Sequence, residues 1–219
     1  MKRIAIAAVA VLVAAGVAWA AYGWQQKRAW RAQVVQLVDA AGVRLGETLS
    51  ADLNASSSAL ADKLAVLAGE ADADLERLRS AGTRPDRNLA EAADAYLGSA
   101  TAVLKRQAGS ARGRMKLAES RKVLAEHLAK ASQRGEGWSA EAIRLKERMD
   151  ADYFEYRIAV TSLGNMLGEL PAARGRMLVA LPAAHLPEEA AIKDARARTQ
   201  AGAEATRLEI EQAKQLVPR

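Results

Sequence analysis

The run Ile4–Tyr22, IAIAAVAVLVAAGVAWAAY, carries no charge and follows Lys2 and Arg3. About 20 apolar residues rising 1.5 Å each span roughly 30 Å as a helix, the thickness of a hydrocarbon core. The run therefore predicts a single membrane-spanning helix, and no other stretch is apolar for long enough to do the same. Trp19, Tyr22, Trp24 and Trp30 gather at its C-terminal end, where amphipathic rings favour the membrane–water interface. The same residues also fit a cleaved signal peptide, with Lys2-Arg3 as the basic start, Ile4–Val17 as the apolar region and Ala18-Trp19-Ala20 as the small-x-small site. The apolar run continues past that site to Tyr22, and Lys27, Arg28 and Arg31 follow. This favours an uncleaved anchor over residues 1–24.

Lys2 and Arg3 place the N-terminus in the cytoplasm, whereas Lys27, Arg28 and Arg31 pull the other way. A short head and a large body favour N-terminus in and body out. In a bacterium that means the inner membrane, with residues 25–216 in the periplasm. If the segment is cleaved, the product is instead a soluble periplasmic protein. Gly16 and Ala20 form an i, i+4 small pair through which two anchors could meet as a homo-oligomer.

Beyond the anchor the composition excludes most folds. Half the residues are hydrophobic but only 4% are aromatic, and alternating β-branched runs are nearly absent. Small side chains bury little area each, so the core must be thin and extended. The fold class expected is all-α. There is no cysteine, which removes disulfides, thiolate metal sites and a cysteine nucleophile. A net charge of +6 suits anionic lipid or an acidic partner and falls well short of a nucleic-acid-binding signature.

Leucines 45, 49, 53, 60, 64, 67, 75 and 78 recur at threes and fours and predict one long helix from about Gln25 to Ser80. Asn54-Ala55-Ser56-Ser57-Ser58 interrupts it with weak helix formers, as a kink, a recap or a polar exposed turn, with a continuous helix the preferred reading. Gly82 and Pro85 end it. A second helix follows from about Asp86 to Gln133, and Gly135–Trp138 closes it. The third, capped by Ser139, ends before Pro171, because Pro171, Pro182 and Pro187 argue against a helix between them. The fourth runs from Pro187 to about Leu216 with a weak apolar seam. Leu216–Arg219 matches the remnant of a thrombin-cut tag and equally a native tail; residues 217–219 are assigned nothing.

Lengths of roughly 70–85 Å for the first two helices and about 45 Å for the others predict an elongated up-down bundle of about four helices. A two-helix coiled-coil hairpin projects from it, with the Gly82–Pro85 turn far from the membrane and Trp138 near it. Five aromatics are thus expected at the membrane interface: Trp19, Tyr22, Trp24, Trp30 and Trp138.

No Gly-rich phosphate loop, HExxH, GxSxG or paired-carboxylate setting appears. His127 lacks the Glu three residues earlier that a helical di-iron motif needs, since Leu124 stands there. His185 has no acidic neighbours in sequence. No catalytic residue, metal ligand or cofactor site is expected, and the chain does not read as an enzyme. The strongest charge feature is a basic surface of Lys105, Arg106, Arg112, Arg114, Lys116, Arg121 and Lys122 within a block that ends at Arg134. Its functional reading is attraction to anionic head groups or an acidic partner; its plain reading is a solvated face. Met177, Leu178, Leu181, Ile192 and Ile210 are the expected docking residues. The function expected is a membrane-anchored interaction or scaffold protein, an accessory or tethering subunit that contacts other membrane or periplasmic proteins but no nucleic acid. The alternative is an extracytoplasmic small-ligand-sensing four-helix bundle that signals through a partner chain.

Overall fold

The computed structural model folds the chain into five helices: α1 (Lys2–Leu49), α2 (Ser58–Ser80), α3 (Arg87–Ala129), α4 (Trp138–Ala180) and α5 (Glu189–Gln215). It describes residues 2–82, 84–130, 135 and 137–217, with side chains from Trp19 onward. Thr83, Arg134, Pro218 and Arg219 therefore lie outside the described residues, as do the side chains of most of the expected anchor. No strand occurs among the described residues, and the all-α class holds. No helix among them is long and apolar enough to cross a membrane.

The leucine-rich segment expected as one helix is two. α1 stops at Leu49, the Asp52 carboxylate accepts from the Asn54 amide at 3.0 Å, and Ser57 caps α2 by accepting from Leu60 N at 3.3 Å. Asx turns and serine caps are what Asp52-Leu53-Asn54 and Ser56-Ser57-Ser58 favour over helix interior. The interruption is thus a full reversal. Arg44 pairs with Glu70 at 3.0 Å and Asp74 at 2.5 Å, and Glu47 lies 3.6 Å from Lys63, so α2 runs back along α1.

That reversal inverts everything after it. α3 runs antiparallel to α2, with Arg79 on Asp94 at 2.9 Å and the Thr101 hydroxyl donating to Ala71 O at 3.2 Å. Gly82 and Arg84–Asp86 therefore lie beside the first buried turns of α1, not far out. Gln107 of α3 reaches the end of α1, donating to Thr48 O at 3.2 Å. His127 is twenty residues further along, roughly 30 Å, and Trp30 lies about 27 Å the other way. Trp138, stacked on His127, is thus roughly 55–60 Å along the bundle from Trp30, at the opposite end from the one expected.

A second correction concerns Pro171, which lies inside α4. Its missing N–H and ring disfavour a helix interior. Leu163, Leu167, Leu170, Ala173 and Met177 nevertheless form one buried stripe at threes and fours across it. Keeping that stripe in register outweighs the local cost. Only Leu181–Glu188, with Pro182 and Pro187, is loop.

The bundle is broad at one end and narrow at the other. At the broad end all five helices share a core running from Trp30 and Leu45 through Leu78, Tyr96 and Leu104 to Leu163, Met177 and Ile192. At the narrow end only α3, α4 and α5 remain, around Leu117, Leu124, Leu145, Met149, Tyr156, Val160 and Ile210. Residues 19–29 of α1 are exposed, and the helix projects from the broad end.

Candidate ligand cavity at the helix elbow

The elbow between α1 and α2 lies where the broad end gives way to the narrow one. The last carbonyls of a helix have no partner within it and need donors from elsewhere. Here they come from other helices. Thr48 O accepts from Ala51 N at 3.0 Å as well as from Gln107, and Leu49 O accepts from the Arg198 guanidinium of α5 at 2.7 Å. The Asn54 side chain rests directly over Gly202, where a Cβ would collide with it, so glycine lets the elbow approach α5.

These contacts leave a cavity of about 390 Å³ between the elbow and helices α3, α4 and α5. Leu49, Val160, Leu167 and the Tyr156 side chain supply its apolar wall. Its floor is polar. Gln107 is 2% exposed and Ser110 fully buried, and neither the Gln107 Oε1 nor the Ser110 Oγ has a hydrogen-bond partner among the described residues. Arg198 and Asp52 stand on the lining, and no ion pair forms from either among the described residues. Tyr156 Oη lies 3.5 Å from Thr206 Oγ1, which itself donates to Gly202 O at 2.8 Å.

The residues singled out from sequence are elsewhere. Trp19, Tyr22 and Trp24 are exposed on the projecting part of α1, with Arg28 stacked 5.4 Å from the Trp24 ring. Trp30 is buried in the broad core, and Trp138 lies at the far end. Met177, Leu181, Ile192 and Ile210 are buried within the chain's own core and Leu178 is half-buried, so they form no free docking face.

The basic surface is largely compensated by nearby acids. Lys105 pairs with Asp72 of α2 at 2.6 Å and Lys116 with Glu155 of α4 at 3.2 Å, Arg114 and Arg121 share Glu209 of α5, and Lys122 pairs with Glu126 of its own helix at 3.9 Å. Arg112 lines an open groove with Lys116, Lys122 and Arg148, in which Glu119 and Asp152 also stand. Arg106 is exposed. The antiparallel layout expected from sequence puts this block beside Lys27, Arg28, Arg31 and Arg44. Lys105 instead pairs with Asp72, two residues from the Asp74 partner of Arg44, so the block starts near Arg44 and leads away from Lys27, Arg28 and Arg31.

His127 receives a stacked Trp138 ring at 5.2 Å, and its Nε2 sits 2.9 Å from Trp138 O. His185 Nδ1 is 3.7 Å from Asp39. No group of three or more His, Asp or Glu side chains among the described residues is placed to hold a metal.

The cavity residues carried one signal in the sequence. Ala100, Val103, Gln107 and Ala111 are spaced as one helical seam, and a polar residue interrupting such a seam marks a buried polar site. Arg198 and Asp52 carried none, since both are ordinary charges on a helix face and in a turn. No protein-family model, curated protein or solved structure matches this chain.

Proposed function

We propose that this chain is a membrane-tethered helical bundle of the bacterial inner membrane, N-terminus cytoplasmic and body periplasmic, acting as an accessory or tethering subunit of a larger assembly. The observation that supports it is the projecting part of α1. Its rings at Trp19, Tyr22 and Trp24 are exposed and clustered on one helix next to the apolar run. Exposed aromatic clusters beside an apolar run call for lipid or a partner to cover them. The basic residues that follow suit anionic head groups.

Alkaline extraction of native membranes, intact-mass measurement and cross-linking test this together. The expected outcome is a chain that keeps Ile4–Tyr22, stays in the membrane pellet and cross-links stoichiometrically to a second protein. Release as a soluble product cut after Ala20 overturns the tether; retention with no cross-linked partner overturns the assembly role. The elbow cavity favours a second reading, in which the body senses a small ligand and reports it through another chain.

A further inference from the structure

We infer that the elbow cavity binds a small zwitterion of amino-acid size, its donor group held by Gln107 and Ser110 and its anionic group by Arg198. This rests on the ligand-sensing reading and names the chemistry of that site. The volume, about 390 Å³, falls within the range of small-molecule pockets and far exceeds what one or two waters fill. A buried polar group without a partner is costly and rare, so two in one cavity require an explanation. Gln107 already uses its amide nitrogen on Thr48 O, which leaves its Oε1, an atom that only accepts. Whatever fills the floor must donate to it. Ser110 Oγ, a hydroxyl, takes either role.

The lining sets the other end. Arg198 uses one nitrogen on Leu49 O and keeps further N–H donors in a fixed planar fork, a geometry that matches a carboxylate. Asp52 stands on the same lining, so the site as a whole is neutral. A bare anion therefore gains little on entry, and a bare cation leaves the Arg198 fork unmatched. A molecule that is neutral overall, with a donor inward and a carboxylate outward, satisfies Gln107, Ser110 and Arg198. The apolar wall of Leu49, Val160 and Leu167 accommodates a short aliphatic side chain. Gln107 and Arg198 also hold the last carbonyls of α1, and Leu49 of α1 lines the cavity, so an occupant touches the helix that leaves the bundle.

Differential scanning of the full chain in detergent, backed by calorimetric titration, tests this against neutral α-amino acids. The matched carboxylic acids without the amine and amines without the carboxylate serve as controls. At a hundredfold excess over the dissociation constant, an amino acid that binds raises the melting temperature by about 5 °C or more. The controls are expected to do so far less. Arg198→Gln is expected to weaken binding at least about tenfold. Ala205 is an exposed lining residue and holds neither α1 carbonyl, so Ala205→Trp is expected to obstruct the cavity and leave helicity unchanged while abolishing the shift. A shift that survives in Ala205→Trp overturns the site. Saturable binding of only the plain acid or plain amine, lost in Ala205→Trp, overturns the zwitterion while the sensing reading stands. No shift from any of the three classes overturns both.

Discussion

The two ends of this bundle solve the same problem by different means. An Ala-rich seam buries little area per residue, so it needs either more helices around it or larger side chains within it. The broad end adds helices: α1 and α2 close over the first half of α3, and Leu45, Leu78, Leu104 and Leu163 share one core. Where the broad end has Trp30, Tyr96 and Met177 in addition to its extra helices, the narrow end has three helices and depends on Tyr156, Met149 and Ile210 for its large side chains. It adds charge pairs at the seams, with Lys214 on Asp150 at 2.6 Å and both Arg114 and Arg121 on Glu209. Partly exposed pairs of this kind contribute little each, so the narrow end is expected to be the less stable of the two. Cooperativity need not extend evenly along such a molecule.

The largest expected effects come from deleting core atoms at either end. Leu104→Ala and Ile210→Ala each remove a fully buried aliphatic side chain and are expected to cost about 2–5 kcal/mol. Their reach differs. Leu104→Ala should lower the melting temperature of the whole bundle. Ile210→Ala should accelerate amide exchange in residues 203–215 and 117–128 while α1 and α2 exchange as in the parent. Equal acceleration in α2 after Ile210→Ala would mean one cooperative unit, and the distinction between the ends would be lost.

A smaller effect is expected where the Leu181–Glu188 loop closes the broad end. The His185 carbonyl packs on Gly42 of α1, and a Cβ there would collide with backbone that has no freedom to swing away. The loop is held besides by Asp39, which accepts from His185 N at 2.9 Å, and by Pro187 O, which accepts from Arg174 at 2.6 Å. Gly42→Ala should therefore cost about 1–3 kcal/mol in denaturant unfolding, although alanine is the better helix former. Gly46→Ala, one turn later with open space before it, should be neutral or stabilising. Equal stability of the two variants would show that the loop does not press on α1.

Much of the helical class was legible because Leu and Ala periodicity reports burial directly. Helix limits at Ser80, Ala129 and Gln215 fell close to where Gly, Pro and falling hydrophobicity placed them. Orientation was not legible. It turned on whether Asn54–Ser58 bends a helix or reverses it, and local propensity does not separate those cases. The reversal lets Leu75 and Leu78 share a core with Val34, Leu37 and Leu45, and pairs Arg44 with Asp74, contacts between residues far apart in sequence. One such misreading exchanges the ends of every later helix, which is why Trp138 was expected beside Trp24. Pro171 is the converse: a strong local signal overridden by burial on both sides of it. The docking residues failed for a related reason. Met177 and Leu181 looked free because they lie beyond a proline that appeared to end the helix, and Ile210 because its partners Met149, Tyr156 and Val160 sit on another helix whose facing side the sequence does not give. For the cavity, only the polar interruption at Gln107 was readable, since Arg198 meets it from ninety residues away in sequence.

The smallest expected effect separates two tyrosines. Tyr96, in the broad core, is fully buried and its Oη has no hydrogen-bond partner among the described residues. Burial pushes its phenol well above the ordinary value; Arg174 opposes this and Asp39 adds to it. A phenol whose folded value is raised is favoured in its neutral form by the fold. Its contribution is thus fully present below the unfolded value, about pH 10, and is lost as pH rises beyond it. Tyr96→Phe removes an unpaired buried hydroxyl and should stabilise by up to about 1 kcal/mol at pH 8. It should also flatten the loss of stability between pH 10 and 11, read from urea midpoints at both values. Tyr156, at the junction with the narrow end, keeps its 3.5 Å contact with Thr206. Tyr156→Phe should therefore destabilise slightly, by about 0.5 kcal/mol. Loss of stability in both variants would mean that the broad core satisfies Tyr96 as well as the junction satisfies Tyr156, and the difference between the ends would then rest on helix number alone.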